Sequence, residues 1–393
     1  MRSLGEIAKV FRGVTYSVNE ISNVRQDGYI AVLRAGNIQD YLHIDSDLIF
    51  VQESKVKRNQ IIVKDDIVMC ASSGSSDLVG KSAIAKEDTD VTFGGFCLLI
   101  RANNHISCPS YINHYFRSNI FRSWAKQAQG INIKNIRKNE LEDLAIPLPP
   151  LDEQRRIAAI LDKADVIRRK RQETLKLADD LVKSRFIEMF GDPVANPKGW
   201  GKVNLCDAAG IISGITKGRK ISGKQTFPIP YMRVANVKDG YIDLSEIKMI
   251  EATSDEATYY RLLKNDILMT EGGDPDKLGR GAIWFGQIEN CIHQNHIFRV
   301  RLNNAQIHPV YFAEYLKQSV VKKYFLSCAK QTTGIASINM TQLKALPTIV
   351  PPLSLQTQFA AFVEQVDKLK FAMQRQLAEA ETSKASLMQQ FFS

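Results

Sequence analysis

The sequence predicts an α+β protein written twice. It holds two repeated strand-rich α/β domains, separated by two long helices that form an antiparallel coiled coil, with pseudo-two-fold symmetry. Three observations predict this. A colinear set of short segments recurs at an offset of about 200 residues. Two runs of about forty residues contain neither glycine nor proline, and each follows a proline-rich approach. Both runs carry apolar residues at steps of three and four.

The repeat begins with Leu4-Gly5-Glu6-Ile7-Ala8, matched by Leu205-Cys206-Asp207-Ala208-Ala209. Arg34-Ala35-Gly36-Asn37-Ile38 recurs as Arg233-Val234-Ala235-Asn236-Val237, and Lys64 through Met69 as Lys264 through Met269. Leu78 to Ile84 matches Leu278 to Ile283, Pro109 and Tyr111 match Pro309 and Tyr311, and Ala125-Lys126-Gln127 matches Ala329-Lys330-Gln331. Chance does not give this order. It divides the chain into a first domain (1–148), a central helix (149–192), a second domain (193–350) and a C-terminal helix (351–393). Within the domains, Tyr29 to Leu33, Gln60 to Met69 and Ile297 to Leu302 read as strands, and Tyr111 to Gln127 and Tyr311 to Ala329 as helices.

Before the central helix, Pro147, Pro149 and Pro150 favour an extended approach and Asp152 is a good N-cap; Gly191 followed by Pro193 is a stop signal. The C-terminal helix repeats the approach at Pro351-Pro352, with Ser354 in the cap position. At 1.5 Å per residue each helix is about 60 Å long. Ile157, Ile160, Ile167 and Leu181 mark the seam of the first, with Leu161, Leu175 and Val182 on an adjoining row; Phe359, Phe362, Val366 and Leu369 mark the seam of the second.

No apolar run reaches the roughly 18 residues of a membrane span, and the N-terminus lacks a signal-peptide shape, so the expected location is cytoplasmic, without membrane contact. Six scattered cysteines, with no C-x-x-C pair, read as reduced thiols. The net charge of +10 favours a polyanionic partner.

Pro147-Leu148-Pro149-Pro150-Leu151-Asp152-Glu153-Gln154-Arg155-Arg156-Ile157, Met189-Phe190-Gly191-Asp192 after the helix, and the two-copy layout resemble the specificity subunit of type I restriction-modification systems. The resemblance covers the whole chain. It implies a non-catalytic subunit with two target-recognition domains, each reading one half of a split double-stranded DNA site, and helices that set the spacer. It implies docking of two modification subunits and, through them, two restriction subunits. The assembled complex would use S-adenosylmethionine for adenine methylation, and ATP and Mg²⁺ with its restriction subunits; this chain itself would bind no cofactor and no metal. In the second copy Leu355 replaces Glu153, so the two helices need not dock partners identically.

Two other classes compete. A catalytic nuclease or ATPase would rest on Gly74 to Ser82, which ends like a phosphate-binding loop but has Ser75 where the first glycine belongs, or on Glu246-Ile247-Lys248 with Asp239 or Asp243 upstream. A coiled-coil scaffold without a DNA role would leave the basic balance without purpose. The six histidines are too dispersed for a metal site, and Arg168-Arg169-Lys170-Arg171 reads as a solvated face paired to Asp165 and Glu173, with contact to the DNA backbone across the spacer as the alternative.

Bases are read by donors and acceptors on loops, while lysine and arginine position the protein on phosphates. Base readers in two copies that read different half-sites should occupy corresponding loops and differ in identity. The loops after Met69 and Met269 qualify, with Ser72, Ser73 and Ser75 against Glu271, Asp274 and Lys277. A second pair sets Gln127, Gln129 and Asn132 against Gln331, Thr332 and Thr333. Lys81, Lys134, Arg280 and Lys330 are candidate phosphate ligands. Arg34 and Asn37, with Arg233 and Asn236, are also candidates for DNA contact, although their identity in both copies favours a structural or phosphate role.

Overall fold

A computed structural model describes residues 1–75, 77–127, 135–221, 223–274, 278–332 and 335–392; for residues 331, 332 and 335 the description extends to the backbone alone. Two compact units emerge: Met1–Glu173 with Gln374–Ser393, and Thr174–Met373. Each unit therefore includes part of both long helices, whereas the sequence division keeps each helix whole.

The first unit contains β1 (Arg2–Ser3), α1 (Leu4–Ile7), β2 (Ala8–Arg12), β3 (Tyr29–Leu33), β4 (Ile49–Gln52), β5 (Ile67–Cys70), β6 (Ser82–Ile84), β7 (Val91–Phe93), β8 (Cys97–Ala102), α2 (Pro109–Phe116), α3 (Asn119–Gln127), α4 (Lys138–Glu142), β9 (Ala145–Ile146) and the start of α5 (Leu151–Phe190). An antiparallel sheet runs β2-β8-β5-β6, a second runs β4-β3-β7 with β3 parallel to β7, and β1 pairs with β9. The central strand β5 explains its own apolar sequence. Successive side chains point to opposite faces, and both faces are covered: Ile67 and Met69 join the core under the helices, while Val68 and Cys70 join the core beside the second sheet.

The second unit contains the rest of α5, then β10 (Gly201–Asn204), α6 (Leu205–Ala208), β11 (Ala209–Ser213), β12 (Phe227–Met232), β13 (Lys248–Ala252), α7 (Ser254–Tyr259), β14 (Ile267–Thr270), β15 (Gly272–Gly273), β16 (Gly281–Ile283), β17 (Ile292–His293), β18 (Ile297–Leu302), α8 (Pro309–Leu316), α9 (Ser319–Cys328), β19 (Lys330–Thr332), β20 (Ile335–Ser337), α10 (Met340–Lys344), β21 (Pro347–Val350) and most of α11 (Leu353–Phe392). Its sheets β11-β18-β14-β16, β13-β12-β17 and β10-β21 repeat the first unit's topology, and β15-β20-β19 forms a further small sheet.

The repeated framework rests on repeated polar anchors. Asp66 and Asp266, each 1% exposed, take forked hydrogen bonds from Arg101 (2.8 and 2.6 Å) and Arg301 (2.8 and 2.8 Å). The preceding Asp65 and Asn265 have φ of 70° and 75°, a left-handed turn that shortens the strand expected over Gln60 to Met69 to β5 alone. The helix expected over Tyr111 to Gln127 divides into α2 and α3, and that over Tyr311 to Ala329 into α8 and α9.

The long helices start one residue earlier than their expected caps. Gln154 N donates to Pro150 O and Gln356 N to Pro352 O, so Asp152 and Ser354 lie inside the first turn rather than capping it. What secures each start is a buried glutamine. The Gln154 side chain accepts from Cys108 N (2.9 Å) and donates to the carbonyls of Ile106 and Pro149 (3.1 and 2.8 Å). Gln356 repeats this with His308 N (2.8 Å), Gln306 O (2.9 Å) and Pro351 O (2.8 Å). At the other end of α5, Gly191 has φ of 79°, the left-handed C-terminal position that suits glycine.

Within each unit the two helices run antiparallel. In the first, Lys384 pairs with Asp165 and Arg171 donates to Gln376 O; in the second, Lys370 pairs with Asp179 (2.6 Å) and Arg185 lies 5.8 Å from the Phe362 ring centroid. Partner numbers fall along α11 as they rise along α5. Buried Ile157, Leu161, Met388 and Phe392 form the first unit's contact, and Val182, Phe186, Phe190, Phe359, Val363 and Val366 the second's.

The seam needs correction. Ile167, Leu181 and Leu369 are 39, 52 and 59% exposed, and Ile160 and Phe362 are half-buried. Ile157, Phe359 and Val366 of the expected seam are buried, but beyond Ile157 the inward row of α5 is the adjoining one, Leu161, Leu175 and Val182, rotated about 100° by a one-residue shift. That row is interrupted by Arg168, which hides its apolar character in the sequence. Arg168 pairs with Asp40 (2.7 Å) and Asp165 (3.6 Å), so it is a nearly covered ion partner and not part of a solvated face.

Candidate nucleic-acid interface

The loop after β5 is held on both sides. Ala71 N and Ser72 N donate to Phe96 O (2.9 and 3.0 Å), and Ile136 N donates to Ala71 O (2.8 Å). In the second unit Glu271 N donates to His296 O (3.0 Å) and Ile338 N to Glu271 O (2.9 Å), while Gly272 and Gly273 pair with Ser337 and Ala336. The post-β5 and post-β14 loops are thus each bonded to described residues downstream of α3 or α9, at Ile136 in the first unit and at Ala336 to Ile338 in the second. Ser72 and Ser73 are half-buried, Ser75 and Asp274 exposed, Gln127 exposed at the end of α3, and Lys330 exposed at the start of β19. Gln129, Asn132, Lys134, Lys277 and Thr333 lie outside the described residues, as do the side chains of Gln331 and Thr332.

The asparagines of the Arg–Asn pairs are structural, which removes Asn37 and Asn236 from the contact set. Asn37 is 2% exposed; it accepts from Arg34 N (2.8 Å) and donates to the carbonyls of His43 (3.2 Å) and Ser46 (2.9 Å). Asn236 accepts from Arg233 N (3.0 Å) and donates to the carbonyls of Asp243 (2.8 Å) and Glu246 (3.0 Å). A buried amide so engaged has nothing to offer a base. Arg34 and Arg233 close the same loops through Asp47 (2.7 Å) and Glu246 (2.9 Å), which keeps them in a structural role as well. The Arg233 hydrogen bond, followed by that of Lys248, holds the Glu246 carboxyl below the usual carboxylate range.

Lys81 and Arg280 occupy matching positions before β6 and β16, in matching clefts of different size. The first cleft has about 700 Å³, walled by the 36–43 and 77–82 loops and by α2 and α3, with Arg117, Arg122 and Lys126 on its rim. The second, around Asp239, Arg280, Lys317 and Lys322, is nearly closed at about 10 Å³. The glycine before Lys81 or Arg280 is packed differently in the two units. Phe121 and Ala125 pack on Gly80, whereas Phe325 packs on Gly279, whose φ of 72° lies in the left-handed region and where a Cβ would lie 2.3 Å from the Phe325 ring. Phe325, not Ala329, therefore stands in Ala125's place, and the sequence match there is four residues out of register.

Beneath the first cleft lies an ion cluster. Arg117 bridges Asp40 and Asp165 (both 3.0 Å), Arg168 also reaches Asp40, and Lys384 reaches Asp165. Burial pushes the Asp165 carboxyl up, but Arg117 and Lys384 outweigh it and hold the group below the usual range. Asp40 is likewise held down, chiefly by Arg168 against its burial.

A family model for the type I restriction modification DNA specificity domain matches residues 1–177 and 197–381, once per copy of the repeat. The chain belongs to this specificity family. It is 30% identical to the type I restriction enzyme StySPI specificity subunit of Salmonella potsdam, across 98% of this chain and 85% of that protein. It is 28% identical to the EcoKI specificity subunit of Escherichia coli strain K12, across 95% and 83%. Two solved structures share the fold at a TM-score of 0.56. One, described as the structural basis of complex assembly and conformational transition of the type I R-M system, is 19% identical over 99% of this chain and 96% of its own. The other, a type-I restriction-modification system S subunit from M. genitalium, is 15% identical over 100% and 95%.

The competing chemistries find no support in this specificity-family chain. Ser82 of the phosphate-loop look-alike is 3% exposed on β6 and donates to Asn113 Oδ1 (3.0 Å), so it faces the core. Glu246 and Lys248 of the nuclease look-alike belong to the Arg233 loop closure. His293 is fully buried against Tyr260 O, and burial pushes it down to about 4. Among the described residues, no group of three metal-binding side chains converges, and no helix is long and apolar enough to cross a membrane.

One feature of the interface escapes sequence reading. The β7–β8 turn, Gly94-Gly95-Phe96, and its counterpart Gln294-Asn295-His296 touch the post-strand loops through the backbone bonds already given. The signal was present: three changed residues stand between matched strands at the repeat offset.

Proposed function

We propose that this chain, a non-catalytic DNA-recognition subunit by family, reads a bipartite double-stranded target, with each strand-rich domain contacting one half. The observation that carries the proposal is the repeated loop frame, whose backbone hydrogen bonds match in the two units while its exposed side chains differ. A common frame with unlike rims suits two unlike half-sites. The long helices then set the unspecified spacer and dock two modification subunits, which in turn carry two restriction subunits. S-adenosylmethionine, and ATP with Mg²⁺, belong to those partners and not to this chain. Exposed apolar side chains on the helices, such as Leu177, Leu181, Leu369 and Phe371, support a docking role.

The test is modular. Replacing residues 1 to about 145 with the first domain of another specificity subunit, and mapping methylated adenines in cells that supply the modification subunit, changes one half of the motif and leaves the other half and the spacer intact. A change in both halves contradicts the proposal.

A further inference from the structure

We infer that base selection in each half-site turns on two bonded positions, one after the central strand and one before its paired strand, Ala71 and Phe96 in the first unit and Glu271 and His296 in the second: Phe96 contacts a thymine methyl group, and Glu271, steadied by His296, accepts from the exocyclic amine of a cytosine. This rests on the bipartite-reading proposal and deepens it.

Strand register establishes the equivalence. Cys70 pairs with Cys97 as Thr270 pairs with Ile297, so Phe96 corresponds to His296 and Ala71 to Glu271. The frames share three backbone bonds. Ala71 N to Phe96 O becomes Glu271 N to His296 O, Ile136 N to Ala71 O becomes Ile338 N to Glu271 O, and the turn bond Cys97 N to Gly94 O becomes Ile297 N to Gln294 O. A loop clamped this way presents its side chains at fixed positions. Reading a base requires that, because ordering a loose loop on binding would cost affinity.

What the frame presents is opposite in chemistry. Phe96 is 71% exposed, and its neighbours add little: Gly95 has no side chain, and a Cβ on Gly94 would lie 2.9 Å from Tyr16 Oη. A lone exposed aromatic is ordinary on a protein surface. This one is distinguished by its counterpart, an exposed acid–base pair. His296 Nδ1 lies 2.6 Å from Glu271 Oε2, with side chains 57 and 36% exposed, and both line a hollow of about 380 Å³ with Val234, Gly272 and Ser337. Apolar contact reads the thymine methyl, and a carboxylate accepts from cytosine N4. The Nδ1 contact makes His296 a positioning residue, because it restrains the carboxylate without replacing its acceptor capacity.

The experiment uses the full chain assembled with its modification subunit and maps methylated adenines for wild type, Phe96→Ala, Glu271→Gln and His296→Ala. Phe96→Ala makes one T·A position in one half accept other bases, with discrimination falling roughly tenfold. Glu271→Gln moves one C·G position in the other half toward A·T, because a carboxamide pairs with adenine N6 and N7. His296→Ala blurs that same position and no other, which a merely structural role would not do. If a variant stops methylating, binding to cognate and scrambled duplexes decides: loss of cognate preference with retained salt-sensitive binding and unchanged Tm supports the inference, and a fall in Tm overturns it. A wild-type motif lacking T·A in one half or C·G in the other overturns it, as do variants that keep the wild-type motif. The exchange of residues 1 to about 145 separates the two levels: if it switches one half while these variants change nothing, bipartite reading stands and this assignment falls.

Discussion

The two units solve the same folding problem with the same polar anchors and then diverge wherever a side chain leaves the framework. Asp66–Arg101 and Asp266–Arg301, Asn37 and Asn236, and Gln154 and Gln356 repeat partner for partner. Each fixes a loop or helix start whose backbone groups would otherwise be buried unpaired. Against this constancy, the first unit keeps an open cleft where the second is nearly filled, and Phe325 stands where the first unit has Ala125. The helix contact differs too. Val182 is buried in the second unit, whereas its counterpart Lys384 joins Asp165 and Arg117 in the first unit's ion cluster. Residues that set the backbone are therefore held in common, and those around the cleft and in the helix contact are not.

The largest effects should be alike in the two units, because the aromatic anchors are alike. Phe392 packs on Tyr111 and Tyr115 (ring centroids 5.2 and 5.6 Å), and Phe190 packs on Tyr311 and Phe359 (4.7 and 5.4 Å). Phe392→Ala and Phe190→Ala should each cost about 3–5 kcal/mol. Amide hydrogen exchange should show the loss in the first unit for one variant and in the second for the other.

An intermediate effect should set the units apart. In the first, burial raises the Asp40, Asp162 and Asp165 carboxyls, but their Arg, His and Lys partners prevail and leave all three below the ordinary aspartate value. A depressed folded-state pKa gives stability that is present above the unfolded value of about 3.9 and is lost as pH falls through the folded value. Acidification from about pH 5 toward pH 2 should therefore loosen the first unit's helix contact before the second's, where apolar Val182 takes the place of Lys384. Exchange protection followed against pH checks this, and equal loss in both units would sink it.

The smallest effects sharpen the helix seam. Ile167→Ala and Leu369→Ala should change stability by no more than about 0.5 kcal/mol, against about 2–5 kcal/mol for Leu161→Ala. Thermal unfolding of the three variants distinguishes the observed row from the one the heptad pattern favours.

Much of this fold was legible because repetition supplies a second copy of every signal. Leu4 and Leu205, or Lys64 to Met69 and Lys264 to Met269, fall on the same elements in each unit. The helix face was misread for a local reason: Arg168 breaks the inward row, and only its partners Asp40 and Asp165 reveal that it is covered. The loops after β5 and β14 stand out in the sequence by unlike side chains at like places, and their backbone bonds correspond in the two units. The β7–β8 turn offered only changed residues between matched strands, because its contact with those loops runs through the Phe96 and His296 carbonyls, which any sequence possesses. Asn37 and Asn236 were legible as structural from their identity in both copies, and they stayed candidates for DNA contact because an amide bound to the backbone and an amide offered to DNA are the same residue in a sequence.

The most direct measurement of the central claim, that two like frames read two unlike half-sites, is the methylation motif of a chain in which residues 202–350 replace residues 1–148. Both copies of the frame then carry Glu271 and His296, within their own unit's contacts. The account predicts a target with two identical halves, each equal to the half read by the second unit in the natural chain. A motif that still has two different halves would contradict it.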